Sequence, residues 1–352
     1  MRRVAALAGA ALLLAGCSSM GPPTIARDRF DYVSSISESW KKQMLLNVVK
    51  VRYSDAPVFL DVTSVINAYG LEGTISLVGQ TAPIGREGDS FANLGANARY
   101  SDHPTITYVP LSGDKFARSV MTPIPVNGIL SLVEGGYPVD VVLRFCANSI
   151  NDLDNSRGGV AGRSAGDDGF RELLELLREE QSENGAPVIS GDKRSDFYLY
   201  LRRPRNAETR ARQGRIVELL GLQPGRMEYR IRYGVRQDDR TEVAIQSRSM
   251  LQVLGDFASY VDVPAADVAD GRAFPVQRTA EELSRFPPLV AVRSGASAPD
   301  SAYVSVHYRG KWFWISDRDY RSKGALSFLM LMFSLTDSDT SAAAPILTVP
   351  TR

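Results

Sequence analysis

Residues 4–15 form an unbroken apolar run of 12 residues directly behind Arg2 and Arg3, and that run decides where the rest of the chain has to fold. A membrane-spanning helix takes ~20 apolar residues. A positive start followed by a shorter apolar stretch therefore reads as a secretory leader. A body exported in this way folds in an oxidising compartment, where paired cysteines become bridges. The chain has only two cysteines and two histidines, which excludes a disulfide-rich scaffold and a zinc site of several Cys and His ligands. With 44% hydrophobic and 23% charged residues, the composition is that of a folded protein. Its 41 basic and 40 acidic residues, a net charge of +1, exclude a globally basic nucleic-acid binder.

The leader ends in Leu14-Ala15-Gly16-Cys17, which resembles the lipobox of bacterial lipoproteins. In that family the cysteine thiol takes a diacylglycerol, the peptide bond before it is cut, and the new amine is acylated as well. The resemblance implies a signal peptide over 1–16 and palmitate-type acylation of Cys17. Cleavage there also removes Arg2 and Arg3 and takes the net charge from +1 to −1. More than one acyl chain meets the requirement for stable anchoring. Ser18 follows the cysteine, where the family's inner-membrane retention signal is an aspartate, so the resemblance implies outer-membrane sorting with a periplasm-facing body. Residues 17–30 read as a lipidated tether. Cys146 then has no partner for an internal bridge, and its apolar surroundings (VDVVLRFCAN) mark a buried, inert thiol.

Periodicity along the remainder predicts an α+β protein, with mixed or antiparallel sheets and packed helices. Residues 31–53 carry a helical stripe at Ile36, Trp40, Met44, Leu45, Val48 and Val49. Strands are expected within 58–77 and at 105–109, with a long hairpin loop over 79–97 between them. Short helices are expected at 114–121 and 126–133, and a strand over the apolar run 139–147. Residues 148–169 (NSINDLDNSRGGVAGRSAGDDG) are polar, glycine-rich and without apolar periodicity, so they read as a loop or linker. That break divides the chain into an N-terminal α+β domain, 31–147, and a C-terminal α+β domain, 170–352. In the second half, helices are predicted at 170–183, 207–220, 249–260 and 317–335. Strands are predicted at 197–201, 227–233, 242–245, 288–292, 303–308, 311–315 and 346–349.

Several patterns touch on chemistry. Residues 162–166 match G-x-S-x-G, the nucleophile elbow, but that motif needs a strand running into its serine, here Ser164. Ser112/Lys115 and Ser190/Lys193 fit S-x-x-K without the companion motifs of penicillin-binding enzymes. Both occur as Ser-Gly-Asp-Lys, a composition equally suited to turns and caps. No phosphate-loop, H-E-x-x-H or calcium-loop pattern occurs. No catalytic residue, metal site or cofactor is assigned. An envelope serine hydrolase or peptidoglycan-active enzyme stands as the alternative to an interaction role.

Two features point to binding. Residues 202–236 hold ten arginines and no lysine against three glutamates, with Arg202, Arg203 and Arg205 crowded just ahead of a helix. Guanidinium forks suit phosphate and carboxylate, and the competing reading is a solvated face balanced by acidic neighbours. The second feature is a hairpin closed by Arg309-Gly310. It would set His307 opposite Trp312, Ser305 opposite Trp314 and Val306 opposite Phe313. Alternation then gathers Tyr303, His307, Trp312 and Trp314 on one face. That face is either a stacking or partner-binding surface, or a surface covered by the closing helix.

The phrases RDRFDY, QMLLNVVKVRY and YRGKWFWISDRD are similar to those of uncharacterised proteobacterial lipoproteins, a likeness that brings no activity with it. The sequence thus points to a lipid-anchored outer-membrane protein with a structural or protein-interaction role. Its expected partners are membrane lipid, through acylated Cys17, and an envelope protein or peptidoglycan, with no nucleic acid. Replacing Cys17 by Ser should abolish palmitate incorporation and leave an uncleaved precursor. Continued labelling of that variant would refute the anchor.

Overall fold

The computed structural model describes residues 22–66, 69–80, 91–102, 105–111, 118, 120–158, 165–191, 196–276, 287–336 and 347–350. The fold is α+β, and the chain divides into two compact units. One comprises Met1–Pro57 with Ser112–Thr340, the other Val58–Leu111 with Ser341–Arg352. The division expected at residues 148–169 does not fall there, because that segment lies inside the larger unit and supplies an edge strand and residues of its neighbour to a six-stranded sheet.

The smaller unit is all strand among its described residues. β1 (Phe59–Ile66), β4 (Thr105–Leu111) and β14 (Leu347–Pro350) form one antiparallel sheet in the order β1-β4-β14. The expected final strand at 346–349 thus lies on an edge. β2 (Tyr69–Gln80) and β3 (Phe91–Asp102) form a long hairpin, paired from Tyr69↔Asp102 to Gln80↔Phe91. Residues 79–80 and 91–97 of the segment expected as loop are thus ladder, and the rest of it lies outside the described residues. Small and polar residues there hide the strand from composition, but main-chain pairing needs no apolar side chain.

The larger unit opens with α1 (Pro22–Arg52), which starts inside the segment read as a tether. Its predicted stripe is buried from Met44 onward, while Phe30 and Val33 are exposed. α2 (Val126–Glu134) follows the Thr-Pro-Ile-Pro turn. α3 (Val139–Cys146) is a helix where a strand was expected. Val139, Val142, Leu143 and Cys146 are all buried, so burial at helical spacing overrides the β preference of its valines. Pro138 stands at the N-cap. The side chain of Gln181 accepts from Val139 N at 2.9 Å and donates to the Tyr137 carbonyl at 2.8 Å.

β5 (Ala147–Ile150) and β6 (Leu153–Asp154) begin a six-stranded sheet. It continues through β10 (Glu242–Ser247), β9 (Glu228–Tyr233), β8 (Phe197–Tyr200) and β7 (Val188–Ser190), in the order β6-β5-β10-β9-β8-β7. β5 is polar in sequence yet fully buried. It is tolerated because Asn148 Nδ2 and Ser149 Oγ both donate to Gln246 Oε1 on β10, at 2.8 and 3.4 Å. Only β9 and β10 pair in parallel. The return from β9 to β10 is short, residues 234–241, and Arg232 clamps it by pairing with Glu242 at 2.8 Å and Asp238 at 2.7 Å.

α4 (Asp168–Asn184) and α5 (Ala207–Leu219) pack together beside this sheet, and α6 (Met250–Ala258) leaves the end of β10 through a capping box of Ser249 and Gln252. A short α7 (Ala265–Ala269) leads to β11 (Arg293–Gly295), β12 (Ala302–Tyr308) and β13 (Lys311–Ser316), a sheet in the order β11-β13-β12. Of the strand expected at 288–292, only Val292 makes a bridge, to Val261, and the ladder starts one residue later. α8 (Tyr320–Thr336) closes the unit.

Between α4 and α5 a charged pair is taken out of water. Arg212 and Glu180 are 4% and 2% exposed at their side chains and 3.1 Å apart. Glu180 also accepts from Gln213 Nε2 at 2.9 Å and Asn184 Nδ2 at 3.0 Å, and Arg212 reaches Glu183. Substituting Arg212→Met leaves a buried carboxylate without its cation. It should cost about 3–5 kcal/mol in urea unfolding, and adding Glu180→Met should restore most of the loss.

Candidate functional site

The arginine-rich segment folds around a cleft of about 680 Å³. Leu201 leaves β8, and Asn206 caps α5 by accepting from Thr209 N at 2.7 Å. The helix stops at Gly221, whose φ of +62° is open to glycine at no steric cost. Leu222 N then turns back to Val217 O at 2.9 Å. The chain runs through Pro224 and Gly225 into β9. The start of α5, its closing turn and the approach to β9 thus face one another across the cleft. Leu201, Val217 and Leu222 form a buried apolar floor, and Arg203, Arg210, Arg226 and Arg240 stand on the walls.

The arginines divide into two sets. Arg212 turns inward to Glu180, and Arg215 pairs with Glu172 at 2.7 Å and Glu218 at 3.0 Å. These two match the reading of a face balanced by acidic neighbours. Arg203 and Arg210 are exposed and, among the described residues, have no carboxylate partner. Arg240 donates to the carbonyls of Gly221 and Leu222, both at 3.2 Å, and Arg226 donates to the Glu228 carbonyl at 3.4 Å. A carbonyl bond brings no neutralising charge, although the Asp239 carboxyl is held below its usual range by hydrogen bonds from Thr241 and, in addition, by Arg226. The one acid on the cleft, Glu218, is already held by Arg215. Arg202 and Arg205 are exposed but do not line the cleft. Sequence reading missed Arg240, which lies beyond the dense run; the Gly221 and Pro224-Gly225 breaks were the signal that the chain returns to this place.

The aromatic hairpin forms in the expected register, His307↔Trp312, Ser305↔Trp314 and Val306↔Phe313. Arg309 and Gly310 have φ of +48° and +76°, as a two-residue turn of this hand requires. Val304, Val306, Phe313 and Ile315 are buried, with Phe313 edge-on to Tyr53 of the α1 end at 6.1 Å. The other face is covered by α8 only in part: Lys323 of that helix lies over the Tyr303 ring, while His307 is exposed. Phe328 of that helix packs on Phe145 and Tyr137 at 5.1 and 5.7 Å, and Trp312 and Trp314 stay half-buried. Its four rings do not make one open platform. The Tyr303 ring lies 4.7 Å from Lys41 Nζ and 5.1 Å from Lys323 Nζ, and Trp314 rests over the Gly295 backbone of β11. His307 and Trp312 stack at 5.3 Å on the outside.

The other candidates divide by location. Cys17, Ser112, Lys115, Ser164 and Lys193 lie outside the described residues. Ser190 donates its hydroxyl to Glu134 at 2.8 Å. Cys146 is fully buried, and loss of solvation pushes its thiol up to about 12, far from a reactive thiolate. Among the described residues no group of three His, Cys, Asp or Glu side chains could hold a metal ion, and no helix is long and apolar enough to cross a membrane. Comparisons with protein-family models, curated proteins and solved structures return no match.

The guanidinium bonds from Arg215 to Glu172 and from Arg212 to Glu183 hold both carboxyls below the usual carboxylate range. The folded state therefore releases those protons more readily than the unfolded chain. The stabilisation is complete above the unfolded value of ~4.3 and is lost as pH falls through the lower folded values. Urea midpoints should hold level from neutral pH to about 5 and drop below it. Arg215→Ala should flatten that drop.

Proposed function

We propose that this chain is a lipid-anchored outer-membrane protein, held by acylated Cys17, whose periplasm-facing body docks an acidic segment of an envelope protein in the arginine cleft. One observation carries the reading: four guanidiniums on the walls of a 680 Å³ cleft, two of them without any carboxylate partner among the described residues. The volume falls within the range of ligand sites, ~300–1,000 Å³. The apolar floor of Leu201, Val217 and Leu222 suits a segment that mixes carboxylates with aliphatic side chains. A phospholipid headgroup offers a single phosphate, which uses the walls poorly. The anchor supports the reading by confining the body to the membrane and raising its effective concentration toward partners there.

The test is anisotropy of a labelled peptide alternating Glu and Leu, titrated with the mature chain. Binding should weaken steeply as salt shortens the screening length from ~10 Å at 0.1 M to ~3 Å at 1 M. Arg203→Ala with Arg210→Ala, both at exposed positions, should weaken it at least ~10-fold, about 1.4 kcal/mol. Equal binding of a Gln-Leu peptide, or no change in the double variant, would overturn the reading. Capture of phosphatidylglycerol vesicles in place of the peptide would reassign the cleft to lipid.

A further inference from the structure

A second cleft, about 290 Å³, opens where the two parallel strands end. Tyr233 terminates β9, and Gln246 and Ser247 terminate β10, across a register shift that loosens the ladder at that point. Asn148 of β5 reaches it from the side, and Ser249 with Gln252 brings the start of α6 to its rim. A crevice beyond the carboxyl ends of parallel strands is where sheets with such strands bind small molecules.

Two atoms in its wall are unfinished. Asn148 Oδ1 and Ser247 Oγ are buried and have no hydrogen-bond partner in the protein, in residues 7% and 4% exposed. The Asn148 amide is not free to turn away, because its Nδ2 already donates to Gln246 Oε1 at 2.8 Å. Its oxygen is left as an acceptor, and Ser247 can both donate and accept. Buried polar atoms are nearly always satisfied, and both of these belong to residues that line the cleft, so a ligand group that donates and accepts, drawing the two side chains toward it, would complete them.

Among the described residues no carboxylate, guanidinium or ammonium lines this cleft; its polar groups are amides, hydroxyls and one phenol. The rim is apolar and open, with Tyr233, Met121 and Leu251 at 55%, 63% and 37% exposure. Uncharged hydrogen-bonding groups below an aromatic rim complement a ligand with hydroxyls on its edge and C–H groups on its face. We propose that this cleft binds a neutral saccharide unit, independently of the arginine cleft. A peptide would use a sheet edge by adding a strand, and this cleft lies at strand ends.

The probes are N,N′-diacetylchitobiose, cellobiose and maltose, added to the mature chain and followed by saturation-transfer NMR and calorimetry. At least one should bind saturably, with an affinity unmoved by salt. Tyr233→Ala, at an exposed position, should weaken binding about tenfold with the circular dichroism unchanged. Ser247→Ala should weaken it as well, by removing one of the two unfinished atoms. Three results would each overturn the proposal: none of the three sugars binds, binding survives Tyr233→Ala undiminished, or a neutral tetra-alanine peptide binds in their place.

Discussion

The buried Arg212–Glu180 pair constrains how α4 and α5 of the larger unit can pack. Its two charges lie between α4 and α5 with side chains almost closed to solvent. Two ions so placed are tolerable only if their remaining hydrogen-bonding capacity is filled. Gln213, Asn184 and Glu183 do that. The geometry fixes the rotation of α5 about its own axis. With Arg212 turned in, Arg210 and the segment carrying Arg203 are turned out, onto the cleft. A helix rotated by one residue would bury a different arginine and leave Glu180 without its cation.

The same economy recurs at the other sheet positions where polar groups are buried. Asn151, at φ +51° in the turn after β5, accepts from Ala244 N at 2.8 Å and donates to the Leu220 carbonyl at 2.7 Å. One side chain thereby ties the β5 turn to β10 and to the end of α5. Arg248 and Asp256, both buried, join the end of β10 to α6 at 3.3 Å. These links hold β5, β10 and α6 in a fixed relation around the second cleft. The arginine cleft, in contrast, is walled by exposed side chains on turns.

Helices with a full apolar stripe were legible: α4, α5 and α6 lie where their periodicity places them, and so does the hairpin down to its register. The misreadings share a cause. α3 is rich in valine, β5 in amides and serine, and β3 in glycine and alanine, so residue preference pointed away from each. In α3 the spacing of Val139, Val142, Leu143 and Cys146 carried the helical signal that composition obscured. For β5 no local signal exists, because its asparagine and serine are acceptable inside only when Gln246 lies across from them. The candidate site was half legible. A dense arginine run is visible in any sequence, but which members find carboxylates depends on α4, some 30 residues away.

The order of elements, the α+β class and the turn at Arg309-Gly310 follow from the chain's own sequence, since periodicity and backbone preference act over a few residues. The expectation of an N-terminal leader ending at Cys17 likewise rests on linear order. Tertiary structure alone decided where the chain divides into compact units. It also decided which arginines are neutralised and which stand over a cleft, and that two residues with unfilled buried polar atoms line a second cleft at the ends of parallel strands. Charge pairing and hydrogen-bond satisfaction are contacts between residues remote in sequence, and only packing brings such partners together.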